Sequence, residues 1–347
     1  MAKVQIGEQT IGAGQPPMLI GEVAQAHDGS LNLAHAYIEA IADAGAHAVK
    51  FQTHIASAES TAEESFRKSS AWIEESKADF WTRTGFNAEQ WAGLAKHAAE
   101  RKIIFLSSPF SVEAVELLEK LDVAAWKIAS GEVTNFQMFE QMARSSKPIL
   151  LSAGMSDWDE QDRVVGFIQS LGSPLALFQC TTAYPCPPEE VGLNLMAELR
   201  ERYETPVGLS DHSGAIYAGL AAAAQGADMV EVHVTLSREL PGTSVEASVT
   251  TAELAQLAEG LAAIDAMQAN PVDKDQMAAD KAKLRPVFFR SVVAKEDLAK
   301  GTVLTKESLT TKKPGTGISG ERLNDLVGKT LVRDVVKDQL LAEEDIA

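Results

Sequence analysis

The sequence predicts an α/β chain, a (β/α)8 TIM barrel followed by a small β-rich domain. Three observations carry that expectation. Eight short apolar runs recur between residues 18 and 235, each leading into a helical pattern. Those runs turn polar only at their C-terminal ends, as barrel strands do where a site is built. Beyond residue 285 the pattern changes to short β-branched runs separated by glycine turns. The chain has 347 residues, 45% hydrophobic and 6% aromatic. That length and composition suit one large core of helices packed on a sheet, plus a second small one.

In chain order, residues 1–17 carry Gly and Pro and are mildly amphipathic, which predicts a hairpin plugging one end of the barrel. The buried-strand candidates are Met18–Ala24, His47–Thr53, Ile103–Phe110, Ala125–Glu132, Pro148–Met155, Leu175–Thr182, Val207–His212 and Met229–Thr235. The first helix repeats Leu33, Tyr37 and Ile41 at every fourth position, with Ala34 and Ile38 beside them, so one face is apolar. Ser30 or Asn32 caps its start and Gly45 stops it. Ser213–Gly226 reads as an Ala-rich helix ending in a glycine C-cap. The last barrel helix opens with a capping box, Thr250-x-x-Glu253, and runs to about Ala269. The rhythm breaks once. Ile55–Phe86, containing Trp72 and Trp81, is surplus to the barrel and predicts an insertion covering the catalytic side, ahead of a barrel helix that carries Trp91. The resulting division is 1–269 barrel, 270–285 linker and 286–347 β-rich domain. In the last, Ser291–Val293, Thr302–Leu304 and Thr330–Val332 alternate with turns at Gly301, Gly315, Gly317 and Gly328.

Charge and cysteines narrow the function. Against 49 Asp and Glu stand 31 Lys and Arg, a net charge of −18. That argues against nucleic acid or an anionic membrane as partner, and an anionic substrate would need a local cluster of cations. Cys180 and Cys186 have neither zinc-knuckle nor redox-pair spacing and read as reduced packing residues of a cytoplasmic protein. No signal-peptide core is evident, and no apolar run approaches the roughly 18 residues of a membrane span.

The polar residues at the strand ends are the candidate chemistry. Lys50, Gln52 and His54 share one face of the second strand, and an inward lysine is costly unless it meets an anion. Lys127 repeats the pattern on the fourth strand, followed by Ser130 and Glu132. Hydroxyls stand at corresponding points: Ser108, Ser152, Thr182 and Ser210. Together they form a cradle for a phosphate or carboxylate, unless the lysines snorkel to the rim. Glu22 and Glu132 end strands one and four and are placed to exchange protons with a substrate. His212 and His233 end neighbouring strands and as neutral imidazoles can hold a divalent metal; two satisfied core histidines are the alternative. Asp211 either orients a metal ligand or caps the next helix. Glu231 shares the inward face of His233 and reads as a buried structural partner.

These residues fall in motifs that resemble the sialic acid synthases, the N-acetylneuraminate synthases and their legionaminate, pseudaminate and spore-coat-polysaccharide relatives. The motifs are Gly21-Glu22 with His27-Asp28-Gly29, Lys50 to His54, Ser107 to Phe110, Lys127 to Glu132, Leu151 to Met155, Cys180 to Pro185, Gly208 to His212 and Glu231-Val232-His233. Lys313 to Gly317 is similar to the family's C-terminal antifreeze-like (SAF) domain. The resemblance spans nearly the whole chain, in order. It implies a phosphoenolpyruvate-condensing transferase acting on the open-chain aldehyde of an N-acylated amino sugar, N-acetylmannosamine by default. Water adds and phosphate leaves, giving a nine-carbon 2-keto acid.

The same resemblance implies roles. His212 and His233 hold the metal, manganese by default with Mg2+ or Co2+ as alternatives. Lys50, Ser108, Lys127, Ser130, Ser152, Thr182 and Ser210 bind phosphoenolpyruvate. Glu22, Glu132, Tyr184, Ser244, Phe288 and Lys313 serve the sugar. It also implies a homodimer whose C-terminal domains swap, so that Phe288 and Lys313 act in trans. Three positions depart from the family's pattern. Thr182 stands where Asn is frequent, Ser244 where Asp is frequent, with Glu246 two residues on, and Lys313 where Arg is frequent. Lys lacks the planar fork of Arg. Two of the three lie on the sugar side, which leaves a 2,4-diacetamido-trideoxyhexose, as in legionaminate or pseudaminate synthesis, in competition. A synthase acting on phosphorylated aldoses would need a further Arg/Lys cluster, which the sequence does not display. An ice- or carbohydrate-binding protein on an inactive barrel would need a flat, weakly charged face, whereas residues 286–347 are densely charged.

Overall fold

A computed structural model describes residues 3–61, 63, 64, 66, 75–242 and 244–347. It divides into two units, Met1–Ala269 and Asn270–Ala347. The first begins with a hairpin, β1 (Lys3–Ile6) and β2 (Gln9–Gly12), paired antiparallel from Lys3↔Gly12 to Ile6↔Gln9. A two-stranded hairpin is marginal alone. This one buries Val4, Ile6 and Ile11 against Met18, Ile20, Ala48, Leu106, Ala125, Leu150, Ala176 and Met229. Each such side chain removed from water contributes about 1.5–3 kcal/mol, enough to seat the hairpin as the floor of the barrel.

The barrel strands are β3 (Met18–Ala24), β4 (Ala48–Thr53), β5 (Ile104–Pro109), β6 (Trp126–Ile128), β7 (Ile149–Ser152), β8 (Leu175–Cys180), β9 (Val207–Asp211) and β10 (Met229–Thr235). Parallel ladders link them in the order β5-β4-β3-β10-β9-β8-β7-β6, with a short β11 (Ser248–Thr250) added to β10. β5 and β6 run side by side and complete the ring, without a ladder between them among the described residues. The expected (β/α)8 barrel is therefore present. Outward side chains such as Val49, Ile128, Leu151, Leu177, Leu209 and Val232 join the main core under the helices. Inward positions are apolar near the floor and polar towards the C-terminal ends.

The helices α1 (Leu31–Asp43), α2 (Ala56–Glu59), α3 (Lys77–Thr84), α4 (Ala88–Glu100), α5 (Val112–Lys120), α6 (Phe136–Ala143), α7 (Trp158–Ser170), α8 (Asn194–Tyr203), α9 (Tyr217–Ala224) and α10 (Thr251–Ala269) follow. Ser30, not Asn32, caps α1 by accepting from the Leu33 N–H, and Gly45 follows with φ +84°. Thr250 and Glu253 form the anticipated box at α10: the Glu253 carboxylate accepts from the Thr250 N–H at 2.7 Å and the Thr250 hydroxyl from the Glu253 N–H at 3.3 Å.

Three element boundaries need correction, the first being the fifth strand, which ends at Ser152 rather than Met155. The fourth strand ends at Ile128 rather than Glu132, because Ser130–Glu132 turns into a 3-10 helix. The helix expected from Ser213 starts only at Tyr217. Asp211 accepts from the Ser213 N–H and hydroxyl, and the Ser213 hydroxyl accepts from the Ala215 N–H, so local side-chain bonds replace the first helical turn. The insertion contributes α2 and α3 beyond the C-terminal end of β4; Trp72 lies outside the described residues.

In the second unit, 270–285 contains α11 (Lys274–Asp280) and the first residue of α12 (Arg285–Phe288). β12 (Ser291–Ala294) pairs antiparallel with β13 (Leu309–Lys312), a strand that the sequence reading missed. Single bridges Val303↔Thr330 and Leu331↔Ile346 account for the other two short runs. Val292, Leu304, Leu309, Leu331, Val335 and Leu341 form a separate core.

Candidate active site

Register decides which side chains meet. On β3, β4 and β10, Glu22 lies opposite both Lys50 and His233. Gln52 lies opposite Ser108, and Ser210 opposite both Cys180 and Glu231. Side chains of one parity point into the barrel. The polar layer therefore comprises Glu22, Lys50, Ser108, Lys127, Ser152, Cys180, Ser210, Glu231 and His233, all buried. It sits directly above the apolar floor.

Lys50 and Lys127 are each 3% exposed, so neither reaches the rim. A buried ammonium costs several kcal/mol unless it is paired. The pairing runs through Glu231, whose Oε1 lies 3.0 Å from Lys127 Nζ and 3.4 Å from Lys50 Nζ, and accepts from Ser210 Oγ at 3.1 Å. Lys50 also pairs with Glu22 and donates to Ser108 Oγ at 3.3 Å. Lys127 Nζ stands 4.8 Å from the Phe178 ring centre. Glu22 accepts from the Gln52 amide at 3.0 Å.

The two carboxylates are driven apart. Burial pushes Glu22 up to about 7, with Lys50 opposing and Glu231 adding to the rise. Burial also acts on Glu231, but Lys127 and Lys50 outweigh it and bring it down to about 2. Burial lowers Lys127, whereas the two carboxylates outweigh burial at Lys50 and raise it. Where Glu22 holds a proton, Glu231 alone faces two ammonium groups. The well then carries excess positive charge inside a chain of net charge −18. Two buried oxygens without a hydrogen-bond partner among the described residues, Ser152 Oγ and Thr182 Oγ1, belong to the neighbouring strand ends. Gly154 lets its loop approach the end of β8 closely, since a Cβ would stand 2.5 Å from the Cys180 carbonyl and 3.1 Å from Thr182 Oγ1. Ser130 is fixed by accepting from the Gly154 N–H at 3.0 Å. Paired cations beside hydroxyls are the donor groups that an anion site requires.

His212 and His233 lie with ring centres 5.3 Å apart, and the Tyr184 ring lies 4.1 Å from the first and 5.8 Å from the second. Burial lowers His212 to about 4 and His233 well below its ordinary value, so both are neutral at pH 7. His212 Nδ1 is 3.0 Å from the Thr181 carbonyl, which it meets as a donor, leaving Nε2 as the lone-pair nitrogen. The pair fits a divalent metal by donor chemistry. Among the described residues no group of three His, Cys, Asp or Glu completes such a site, so further positions would fall to water or ligand. Asp211 accepts from the Ser213 N–H and hydroxyl and does not cap α9, which starts only at Tyr217.

Glu132 stands on the turn after β6, held by Asn135 at 3.1 Å, and burial raises its carboxyl, with Glu59 and Glu64 adding to the effect. Ser244 lies in the segment after β10, where its carbonyl accepts from Ser248 Oγ at 2.6 Å, and Glu246 is exposed. Phe288 and Lys313 belong to the second unit, where Lys313 Nζ is 5.5 Å from the Phe288 ring centre.

Sequence reasoning passed over two residues of the barrel site. Cys180, taken for packing, has its thiol 3.7 Å from Ser130 Oγ and 4.0 Å from His212 Nδ1. The signal was available, because Ala176, Phe178 and Cys180 alternate inward on β8. Glu59, on α2, bonds His54 at 2.8 Å. No periodicity could have marked it, since it follows the end of the strand.

Comparison with known proteins agrees with this architecture. Residues 37–273 match the model of the NeuB family and residues 289–347 that of the SAF domain. The N,N'-diacetyllegionaminic acid synthase of Campylobacter jejuni is 33% identical over 332 residues, covering 94% of this chain and 99% of that protein. The human N-acetylneuraminate-9-phosphate synthase is 30% identical over 345 residues, covering 96% of this chain and 94% of its own. The crystal structure of a Leptospira borgpetersenii N-acetylneuraminic acid synthetase, solved with citrate, superposes with a TM-score of 0.72 at 28% identity, over 82% of this chain and 96% of that one. With the barrel, its polar layer and these matches in hand, the chain belongs to the NeuB family of sialic acid synthases and carries a C-terminal SAF domain.

Proposed function

We propose that this protein condenses phosphoenolpyruvate with the open-chain aldehyde of an unphosphorylated N-acylated amino sugar, giving a nine-carbon 2-keto acid and phosphate. The observation that carries the reading is the buried well of Lys50, Lys127, Ser152 and Ser210, positively charged where Glu22 is protonated. It suits a small dianion carrying both phosphate and carboxylate. Lys50, Ser108, Lys127, Ser130, Ser152, Thr182 and Ser210 bind that anion, and Glu231 holds both lysines in place. Glu22 and Glu132, their carboxyls raised by burial, hold or move protons near the acceptor sugar. Tyr184 and Ser244 contribute to the sugar side. His212 and His233 would hold a divalent metal, manganese in the first instance. When bound, such an ion polarises the acceptor's carbonyl oxygen.

N-acetylmannosamine is the default acceptor. A 2,4-diacetamido-trideoxyhexose is the second reading, favoured by the 33% identity to a diacetyllegionaminic acid synthase and by Ser244 and Lys313. A homodimer in which Phe288 and Lys313 serve the partner subunit belongs to the same proposal and rests on the family likeness.

The test is phosphate release from phosphoenolpyruvate across free amino sugars and phosphorylated aldoses, with and without manganese. Metal-dependent release with one free amino sugar is the expected result. Release with phosphorylated aldoses alone would move the protein to another synthase class. His212→Ala and His233→Ala should each abolish turnover and weaken manganese binding measured by calorimetry. Near-normal activity in either, without metal, would remove the two-histidine site.

A further inference from the structure

His54 directly follows β4, two residues beyond Gln52 and four beyond Lys50. Its ring is clamped between Trp81 of the insertion (centres 3.5 Å apart, planes 7° apart) and Phe110 (4.0 Å, 18°). Nε2 lies 3.3 Å from Gln52 Oε1, and the Gln52 amide in turn donates to Glu22. Nδ1 donates to Glu59 Oε1 at 2.8 Å. A continuous polar path therefore leads from Glu22 in the well to Glu59 near the mouth.

Glu59 is unusual at the far end of that path. Its side chain is only 7% exposed, yet Oε2 has no hydrogen-bond partner among the described residues. A buried carboxylate oxygen left unpaired costs on the order of 1–3 kcal/mol or more. The adjoining stacks hold it there regardless. Glu59 also lies within electrostatic reach of Glu132 on the turn after β6, and Glu64 faces the same carboxyl. Glu64 is tied to Lys77 at 2.5 Å, whereas neither Glu59 nor Glu132 is paired with a cation among the described residues. Lys50, Gln52 and His54 climb one face of β4 from the anion well towards the C-terminal rim. A second substrate approaching from that rim would meet these carboxylates.

We propose that Glu59 is a specificity-determining residue for the acceptor sugar. Its Oε2 accepts a hydrogen bond from a hydroxyl or amide N–H of that sugar, and with Glu132 it repels a phosphorylated one. This rests on the acceptor chemistry proposed above. His54, Trp81 and Phe110 act as positioning residues that fix the carboxylate.

The test is steady-state kinetics of the full-length protein with phosphoenolpyruvate and either N-acetylmannosamine or its 6-phosphate, comparing wild type, Glu59→Gln and Glu59→Ala. Glutamine keeps the shape and an oxygen for His54, but offers N–H groups where Oε2 stood. Both variants should raise KM for the free sugar by about tenfold or more, the scale of one hydrogen bond to a charged acceptor. KM for phosphoenolpyruvate should stay within about twofold, and the preference for free over phosphorylated sugar should narrow. Wild-type kinetics in both variants would overturn the assignment. So would a normal Glu59→Gln beside a defective Glu59→Ala, which would reduce Glu59 to a prop for His54. An equal rise in KM for phosphoenolpyruvate would mark a structural effect and overturn it too. Where the wild type turns over neither sugar, the free-sugar comparison is repeated with a 2,4-diacetamido-trideoxyhexose; turnover of none of the three would overturn both this assignment and the acceptor chemistry beneath it.

Discussion

Glu231 shows how one side chain makes an expensive arrangement tenable. Removing it leaves Lys50 with Glu22 and strips Lys127 of its ion pair. Breaking a buried pair from one side typically costs about 3–5 kcal/mol. Glu231→Ala is therefore expected to lower the denaturant midpoint by a corresponding amount, whereas Ser152→Ala, which removes an unpartnered hydroxyl, should change stability little. Glu22 carries a prediction of opposite sign. Its carboxyl rises from 4.5 to about 7 on folding, so between those values the folded chain holds more protons than the unfolded one. Stability on its account is fully present below 4.5 and falls as pH rises towards 7. Glu22→Gln should thus gain stability relative to wild type on going from pH 5 to pH 8, measured by thermal unfolding at both. A constant difference across that range would show that Glu22 titrates normally.

Among the elements, what was legible in the sequence followed from period and length. β3 and β10 end where the apolar runs end, and the inward parity of Lys50, Gln52 and His54 could be read directly. The fourth strand was read too long because Ala129 to Glu132 continues an acceptable alternation. Only the backbone turn after Ile128 shows otherwise. The start of α9 was misplaced because Ser213 and Gly214 look like a helix entrance until Asp211 is seen to hold them. Glu59 was illegible for a different reason, since its partner His54 and the covering Trp81 meet only through the folded insertion. Gly29 anchors that insertion. Its φ is +77°, and a Cβ would stand 2.5 Å from the Arg83 carbonyl. Arg83 itself bonds Asp28 Oδ1 at 2.9 Å and Glu75 at 2.7 Å. Gly29→Ala should therefore cost about 1–3 kcal/mol and raise protease sensitivity around α3 before it affects β1 and β2. Unchanged proteolysis would show that the clamp is dispensable.

For the molecule as a whole, the two cores are separate, and each unit has its own buried cluster. A chain ending at residue 269 is expected to unfold cooperatively near the wild-type temperature but to lose most turnover, because the residues assigned to act in trans are gone. Full activity in that truncation would remove Phe288 and Lys313 from the reaction. The floor made by β1 and β2 has a consequence for traffic. With Val4, Ile6 and Ile11 filling the lower end, the described residues leave the well to be entered from the C-terminal ends of the strands. Whatever settles beside Lys50 and Lys127 arrives first, and a guest lodged near Glu59 and Glu132 stands between it and the exit. Such a cul-de-sac imposes a queue: the deeper reactant boards before the shallower one, and an abortive pair forms when the upper guest enters an empty chamber. Initial-rate patterns should then show compulsory order, with the acceptor inhibiting at high concentration and the anion relieving it.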